Sequence, residues 1–234
     1  MVQIMESLQY GNTEINYSIV YSERKTLGIL VNPKGEVIIK APFDASFVKI
    51  KEKVKKRASW IVKQQSFFKS FGQHIPERRY ISGESHFYLG RQYRLYVREG
   101  KPNQVAFKGR CFDIVCSSRC KAEGLMKDWY REQAKVKFAE IAEPIIQQFK
   151  KYRVEPKSIY VQKMESRWGS CTPKGKIILN TELIKAPKPC IEYVITHEMC
   201  HLLHKNHTKA FYELLHAEMP DWEKWKNKLE KFMY

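Results

Sequence analysis

Five of the seven histidines fall between positions 197 and 216, and His197, His201 and His207 stand four and six residues apart. On a helix, residues four apart share a face about one turn from each other, so His197 and His201 can offer ring nitrogens to a single ion. Glu198 then lies beside that ion instead of on it. Two imidazoles around a glutamate in this HExxH order suit Zn²⁺, with the carboxylate free to take a proton from a water that the ion activates. With His207 as third ligand, a fourth position stays open for water, as catalysis requires. Glu198 would then serve as general base and later return the proton to the leaving group. The expected chemistry is hydrolysis of an electrophilic bond, and the ligands do not say whether the electrophile is a carbonyl or a phosphorus atom.

A continuous helix would carry His207 about 600° past His201, off the ligand face, so the helix must break before it. Asn206 is the expected left-handed residue at that break, and Thr208 the cap of the next helix. The interval matches the metzincin pattern HExxHxxGxxH, except that His204 stands at the glycine position, so the turn must differ. His204 and His216 are read as surface or core residues. Pro189 fits the first turn of the ligand helix, and Ile191, Val194, Ile195 and Leu202 form its core stripe.

A second cluster, Glu165-Ser166-Arg167-Trp168-Gly169-Ser170-Cys171, precedes the histidines by about 30 residues. Arg167 can bind a carboxylate or phosphate or stabilise developing negative charge, with Trp168 as a pocket wall. An Arg–Glu ion pair and a core tryptophan explain the same residues without a site.

Around these clusters the first 40 residues read as short strands, with Asn32-Pro33-Lys34-Gly35 as a turn, in a small antiparallel meander. Asp44 or Ser46 caps an amphipathic helix from Phe47 to about Phe71, whose apolar positions are Val48, Val54, Trp60, Ile61 and Phe67. A polar segment, Phe71 to Gly83, is the expected linker between a unit of residues 1–75 and one of 76–234. Strands return at 86–89, 93–97, 104–107 and 112–115, and a long helix from about Glu123 to Tyr152 is expected to kink or divide at Pro144. Strands at 158–163 and 176–180 precede helices near 189–204, 208–217 and 221–232. No internal repeat is visible. The fold class is α+β, with a β-rich N-terminal part and a helical C-terminal part.

The chain has 234 residues, a hydrophobic fraction of 43% and a formal charge of +17 from 42 Lys+Arg against 25 Asp+Glu. That describes a globular protein with an expected anionic partner, whether nucleic acid, nucleotide or acidic protein. Lys49, Lys51, Lys53, Lys55, Lys56 and Arg57 form the densest basic run; a solvated helix face is its first reading and a nucleic-acid contact its second. The N-terminus has no basic region followed by an apolar run, and no stretch could span a bilayer, so a cytoplasmic chain without membrane association is expected, its six cysteines reduced. Cys111, Cys116 and Cys120 match no common zinc spacing and are read as free thiols.

The runs ESRWGSC, KIILN and YVITHEMCHLLHKNH together resemble the YgjP-like metallopeptidase family, relatives of the SprT-like and Wss-type zinc proteases. The resemblance implies a zincin-like catalytic core with zinc on His197, His201 and His207, Glu198 as general base, and Arg167 and Trp168 in the site region. It also implies that the strand 176–180 is the sheet edge that pairs with an extended peptide. Three functions compete. One is a zinc peptidase, which could act on nucleic-acid-associated protein as SprT-like relatives do. Another is a metal-dependent phosphohydrolase of a nucleotide, pyrophosphatase-like, for which the positive charge and Arg167 give reason. The third is a nucleic-acid-binding module with a structural metal, against which Glu198 argues, since a structural site needs no base.

Overall fold

A computed structural model describes residues 3–32, 35–70, 78–165 and 167–232. Among them are five α-helices and three small sheets in a mixed α/β arrangement, and the chain divides into two compact units, 1–76 and 77–233. Most of the expected linker, residues 71–77, lies outside the described residues.

The first unit holds β1 (Gln3–Tyr10), β2 (Thr13–Tyr21), β3 (Gly28–Val31), β4 (Val37–Ala41) and α1 (Phe47–Ser70). Alternation in β2 and β4 buries Ile15, Tyr17, Ile19, Val37, Ile39 and Ala41 on one face. The sheet is not the expected meander. Its order is β1-β2-β4-β3, and β2 pairs with β4 in parallel. Residues 22–27 carry the chain past the central position, leaving β3 on the edge antiparallel to β4. Ser46 caps α1, its carbonyl accepting from Ile50 N at 3.2 Å and its hydroxyl lying 3.5 Å from Lys49 N. The buried stripe is Ile50, Val54, Ala58 and Ile61 at i+4, i+4, i+3. Val48 and Trp60, expected within it, are exposed, because each is turned about 120° around the helix from that stripe; the side chain of Phe67 lies outside the described residues.

The second unit opens with β5 (Ser85–Tyr88), β6 (Arg91–Glu99), β7 (Gln104–Phe107), β8 (Cys111–Cys116) and α2 (Ala122–Phe149). The strand order β5-β6-β8-β7, with its parallel β6·β8 pair and antiparallel flanks, repeats the topology of the first sheet, and a long helix again follows. Two-residue hairpins, Gly11-Asn12 and Leu89-Gly90, occupy the same place in each. The repeat is one of connection and is invisible as sequence identity. α2 runs unbroken through Pro144. Its ridge of Met126, Tyr130, Ala134, Phe138, Ala142, Ile145 and Phe149 is buried at spacings of three and four, and this tertiary burial outweighs the one hydrogen bond that proline removes. A 3-10 turn, Lys150–Tyr152, ends at Arg153 in left-handed conformation (φ +58°).

The remaining elements are β9 (Ser158–Gln162), β10 (Gly169–Cys171), β11 (Lys176–Asn180), α3 (Lys188–Cys200), α4 (Lys209–Glu218) and α5 (Trp222–Phe232). β11 is the centre of its sheet, parallel to β9 and antiparallel to β10. The expectation that 176–180 forms the edge is therefore corrected: with both neighbours bonded to β11, the edges belong to β9 and β10, and β10 is the one that borders the histidines. Pro187 sits at the cap, and Pro189 lies in the first turn as expected. Gly90 (φ +82°) meets this start of α3, where a Cβ would lie 2.8 Å from Pro187 Cα. All six cysteines are free, and no helix among the described residues is long and apolar enough to cross a membrane.

Candidate active site

α3 carries His197 and Glu198 in its last turn. Ile191, Val194 and Ile195 fix its rotation by burial, while Leu202, expected in that stripe, lies beyond the helix and lines a cavity. The helix ends at Cys200, earlier than expected, because i→i+3 bonds tighten its last turn: Leu202 N donates to Met199 O at 3.0 Å and Leu203 N to Cys200 O at 3.1 Å. Asn206 is not left-handed. Thr208 stands at the N-cap of α4, but its hydroxyl makes no capping bond.

His201 follows directly as the C-cap, and its Nδ1 lies 3.0 Å from the carbonyl oxygen of His204. A carbonyl only accepts, so Nδ1 carries the proton and Nε2 keeps the lone pair able to take a metal. The residue at the metzincin glycine position thus contributes through its backbone.

The three rings meet with centroids 4.7–5.0 Å apart, and one ligand atom from each lies within 4.8 Å of the others. His197 Nε2 and His207 Nε2 are 3.0 Å apart, close to the roughly 3.3 Å edge of a tetrahedron with zinc–nitrogen bonds of about 2.05 Å. Three imidazoles with no thiolate among them suit zinc, so the residues fit the ion. His197 Nδ1 is buried without a hydrogen-bond partner. What holds the ring is packing: Phe211, fully buried on α4, has its centroid 4.9 Å from His197 and 4.7 Å from both His201 and His207. Burial, with the neighbouring imidazoles and Lys226, pushes His197 down to about 3, and burial also lowers His207.

Glu198 is buried, and desolvation raises its carboxyl to about 7 against the opposing pull of the Cys171 backbone N–H bonded to it and of Arg167. The edge strand β10 makes this seat. A Cβ on Gly169 would lie 2.7 Å from Glu198 Oε1 and 2.8 Å from its Cγ, so only glycine lets the carboxylate rest against the strand. His197, Glu198, His201 and His207 line one cavity of about 500 Å³, joined by β10, Arg167 and Lys205.

The family model for the YgjP-like metallopeptidase domain matches residues 25–232. The chain belongs to the YgjP-like metallopeptidase family. It is accordingly a hydrolase domain of metallopeptidase type, and the YgjP-like match extends over most of the first unit and the second as far as Phe232. Comparison with curated proteins gave no match.

Of the two residues placed in the site region on the ESRWGSC motif, Arg167 is exposed and lines the cavity. Trp168 does not line it. Its ring is half-buried against the hydrophobic core, where its large apolar area is covered, and its carbonyl accepts from Asn180 N at 2.8 Å. Sequence reasoning missed Asn180, Gly169 and Phe211. Buried Asn180 Nδ2 donates to Met164 O at 2.9 Å and Arg167 O at 2.8 Å, and its Oδ1 accepts from Glu182 N at 3.1 Å, so one amide ties the Arg167 loop to β11. The signal for Asn180 was a polar residue ending the apolar run KIILN; that for Phe211 was an aromatic residue in the first turn of the helix that follows His207.

Proposed function

We propose that this YgjP-like chain is a zinc-dependent peptidase in which His197, His201 and His207 hold the ion and Glu198 is the general base. The observation that carries the reading is the convergence of three imidazole nitrogens on the wall of a cavity that also holds one buried, proton-affine carboxylate. Bound zinc supplies Lewis acidity to a water and to the electrophilic group. Glu198 accepts the water's proton at its carboxylate and passes it to the leaving amine. Arg167 orients an anionic group of the substrate at the cavity mouth.

A zincin-like core accounts for the rest. The ligand helix α3 lies beside a mixed sheet whose antiparallel edge, β10, leaves backbone groups free to pair with an extended peptide. Residues 76–234 would form the catalytic unit and 1–75 an accessory one, and the six free thiols fit the cytoplasm. A second reading, hydrolysis of a nucleotide phosphate bond, is favoured by one observation: Arg167 and Lys205 line the cavity, and Glu198 is the one acid among its described lining residues. Zinc-loaded protein and its Glu198→Gln variant, assayed on a peptide library and a nucleoside triphosphate panel, separate the two. Glu198-dependent peptide cleavage is expected; Glu198-dependent turnover of triphosphates alone would replace peptidase by phosphohydrolase.

A further inference from the structure

The densest basic run of the chain takes no part in this site. Between Lys49 and Lys63, α1 carries seven cations against one acid, Glu52. Its apolar stripe, Ile50, Val54, Ala58 and Ile61, is wholly buried, which fixes the helix's rotation and turns the opposite flank outward. At about 100° per residue, Lys49, Lys53, Lys56, Trp60 and Lys63 fall within an arc of about 80°. All five are exposed, and no carboxylate pairs with these four lysines among the described residues. They form a row about 21 Å long with steps of about 4.5 to 6 Å, in which an indole 39% exposed interrupts the cations.

We propose that this face of α1 binds single-stranded nucleic acid, the lysines tracking the phosphates and Trp60 stacking on a base. Lysines are point charges on flexible stems, suited to a polyanion without demanding a fixed geometry. An indole among them adds what phosphate alone does not call for, a flat π surface that accepts any base. The row holds no arginine fork or amide for reading base edges, so binding tolerates any sequence. An anionic membrane fits less well. A helix lying in a bilayer surface inserts its apolar stripe, and here that stripe is committed to the sheet beneath. Exposed Phe47 and Val48 stand in the first helical turn, off the lysine row.

The test uses the full chain and a fluorescein-labelled oligothymidylate, read by anisotropy across a salt series. Neutralising three or four phosphates gives a slope of log K against log salt of about −2 to −3. Combining Lys49→Glu, Lys53→Glu and Lys56→Glu is expected to remove most of that slope and weaken binding at least tenfold, with an unchanged far-ultraviolet spectrum. Trp60→Ala is expected to weaken binding by about five- to a hundredfold, Trp60→Phe far less, and the oligonucleotide should quench an emission component that Trp60→Phe lacks. Absence of binding at low salt, or binding indifferent to the lysine substitutions, overturns the proposal. So does preference for a duplex over the single strand, which leaves the indole no role, or tighter binding to phosphatidylserine vesicles that the same substitutions abolish.

Discussion

Replacing Gly169 by alanine puts a methyl group where the Glu198 side chain rests. The new Cβ would stand 2.7 Å from Oε1, 2.8 Å from Cγ and 3.0 Å from Cδ. Ordinary contact requires about 3.5 Å or more, so strand and carboxylate must separate by about 0.7 Å. Three atoms along the side chain are engaged and Glu198 is buried, so a swing of its tip into solvent does not relieve the clash. The carboxylate is instead displaced relative to the histidines and pulled from the Cys171 N–H. Overpacking of this kind costs about 1–3 kcal/mol of stability, and misplacing a reacting group by about 1 Å costs about a hundredfold in rate. Gly169→Ala should therefore lower kcat by roughly ten- to a hundredfold, change KM little, and keep the metal content of the parent, since the three atoms nearest the new Cβ all belong to Glu198 and none to a histidine. Steady-state kinetics on a cleaved peptide, with metal measured by inductively coupled plasma spectrometry, reads all three. A kcat within twofold of the parent would refute the reasoning, as would lost metal that accounts for lost activity.

Other substitutions probe the supports of the site. Phe211→Leu, which keeps an apolar side chain but removes the ring shared by three imidazoles, should weaken zinc binding by about tenfold in a competing chelator, and Phe211→Ala should also cost about 3–5 kcal/mol of stability. Asn180→Ala leaves the Met164 and Arg167 carbonyls and the Glu182 N–H without their partner; about 1–3 kcal/mol should be lost in chemical denaturation, and KM should rise as the Arg167 loop loosens. Glu198 gives the metal-free protein a pH signature: its folded value, near 7, lies above its ordinary 4.5, so its stabilising contribution is full below about 4.5 and disappears as pH rises through 7. Metal-free Glu198→Gln should thus gain on the parent between those limits, by of order 3 kcal/mol at the alkaline end, and a difference independent of pH would contradict the assignment. Comparing variant with parent cancels the opposite contribution of His197, whose depressed value removes stability as pH falls below about 6.5.

The histidine cluster was legible because it rests on local geometry. Four-residue spacing on an apolar-striped helix puts His197 and His201 on one face, and the rule against a continuous helix reaching His207 holds whichever residue ends it. Where α3 ends was not legible, since the i→i+3 bonds at Met199 and Cys200 leave no glycine or asparagine signature. Strand positions such as Gln104–Phe107 and Lys176–Asn180 follow from apolar patterning, but their neighbours do not: the parallel β2·β4 and β6·β8 pairs and the central place of β11 depend on side-chain packing between distant segments. For the same reason β10 went unnoticed, being three small residues long, although it seats Glu198. Asn180 and Phe211 act through contacts formed only in the folded chain.

The most direct test of the central claim compares parent and Glu198→Gln at equal zinc occupancy on a single peptide substrate. Three-histidine binding with a separate base predicts one zinc per chain in both proteins and a kcat lower by about 10²- to 10⁴-fold in the variant. Peptide turnover by Glu198→Gln at the parental rate, with zinc bound, would contradict it.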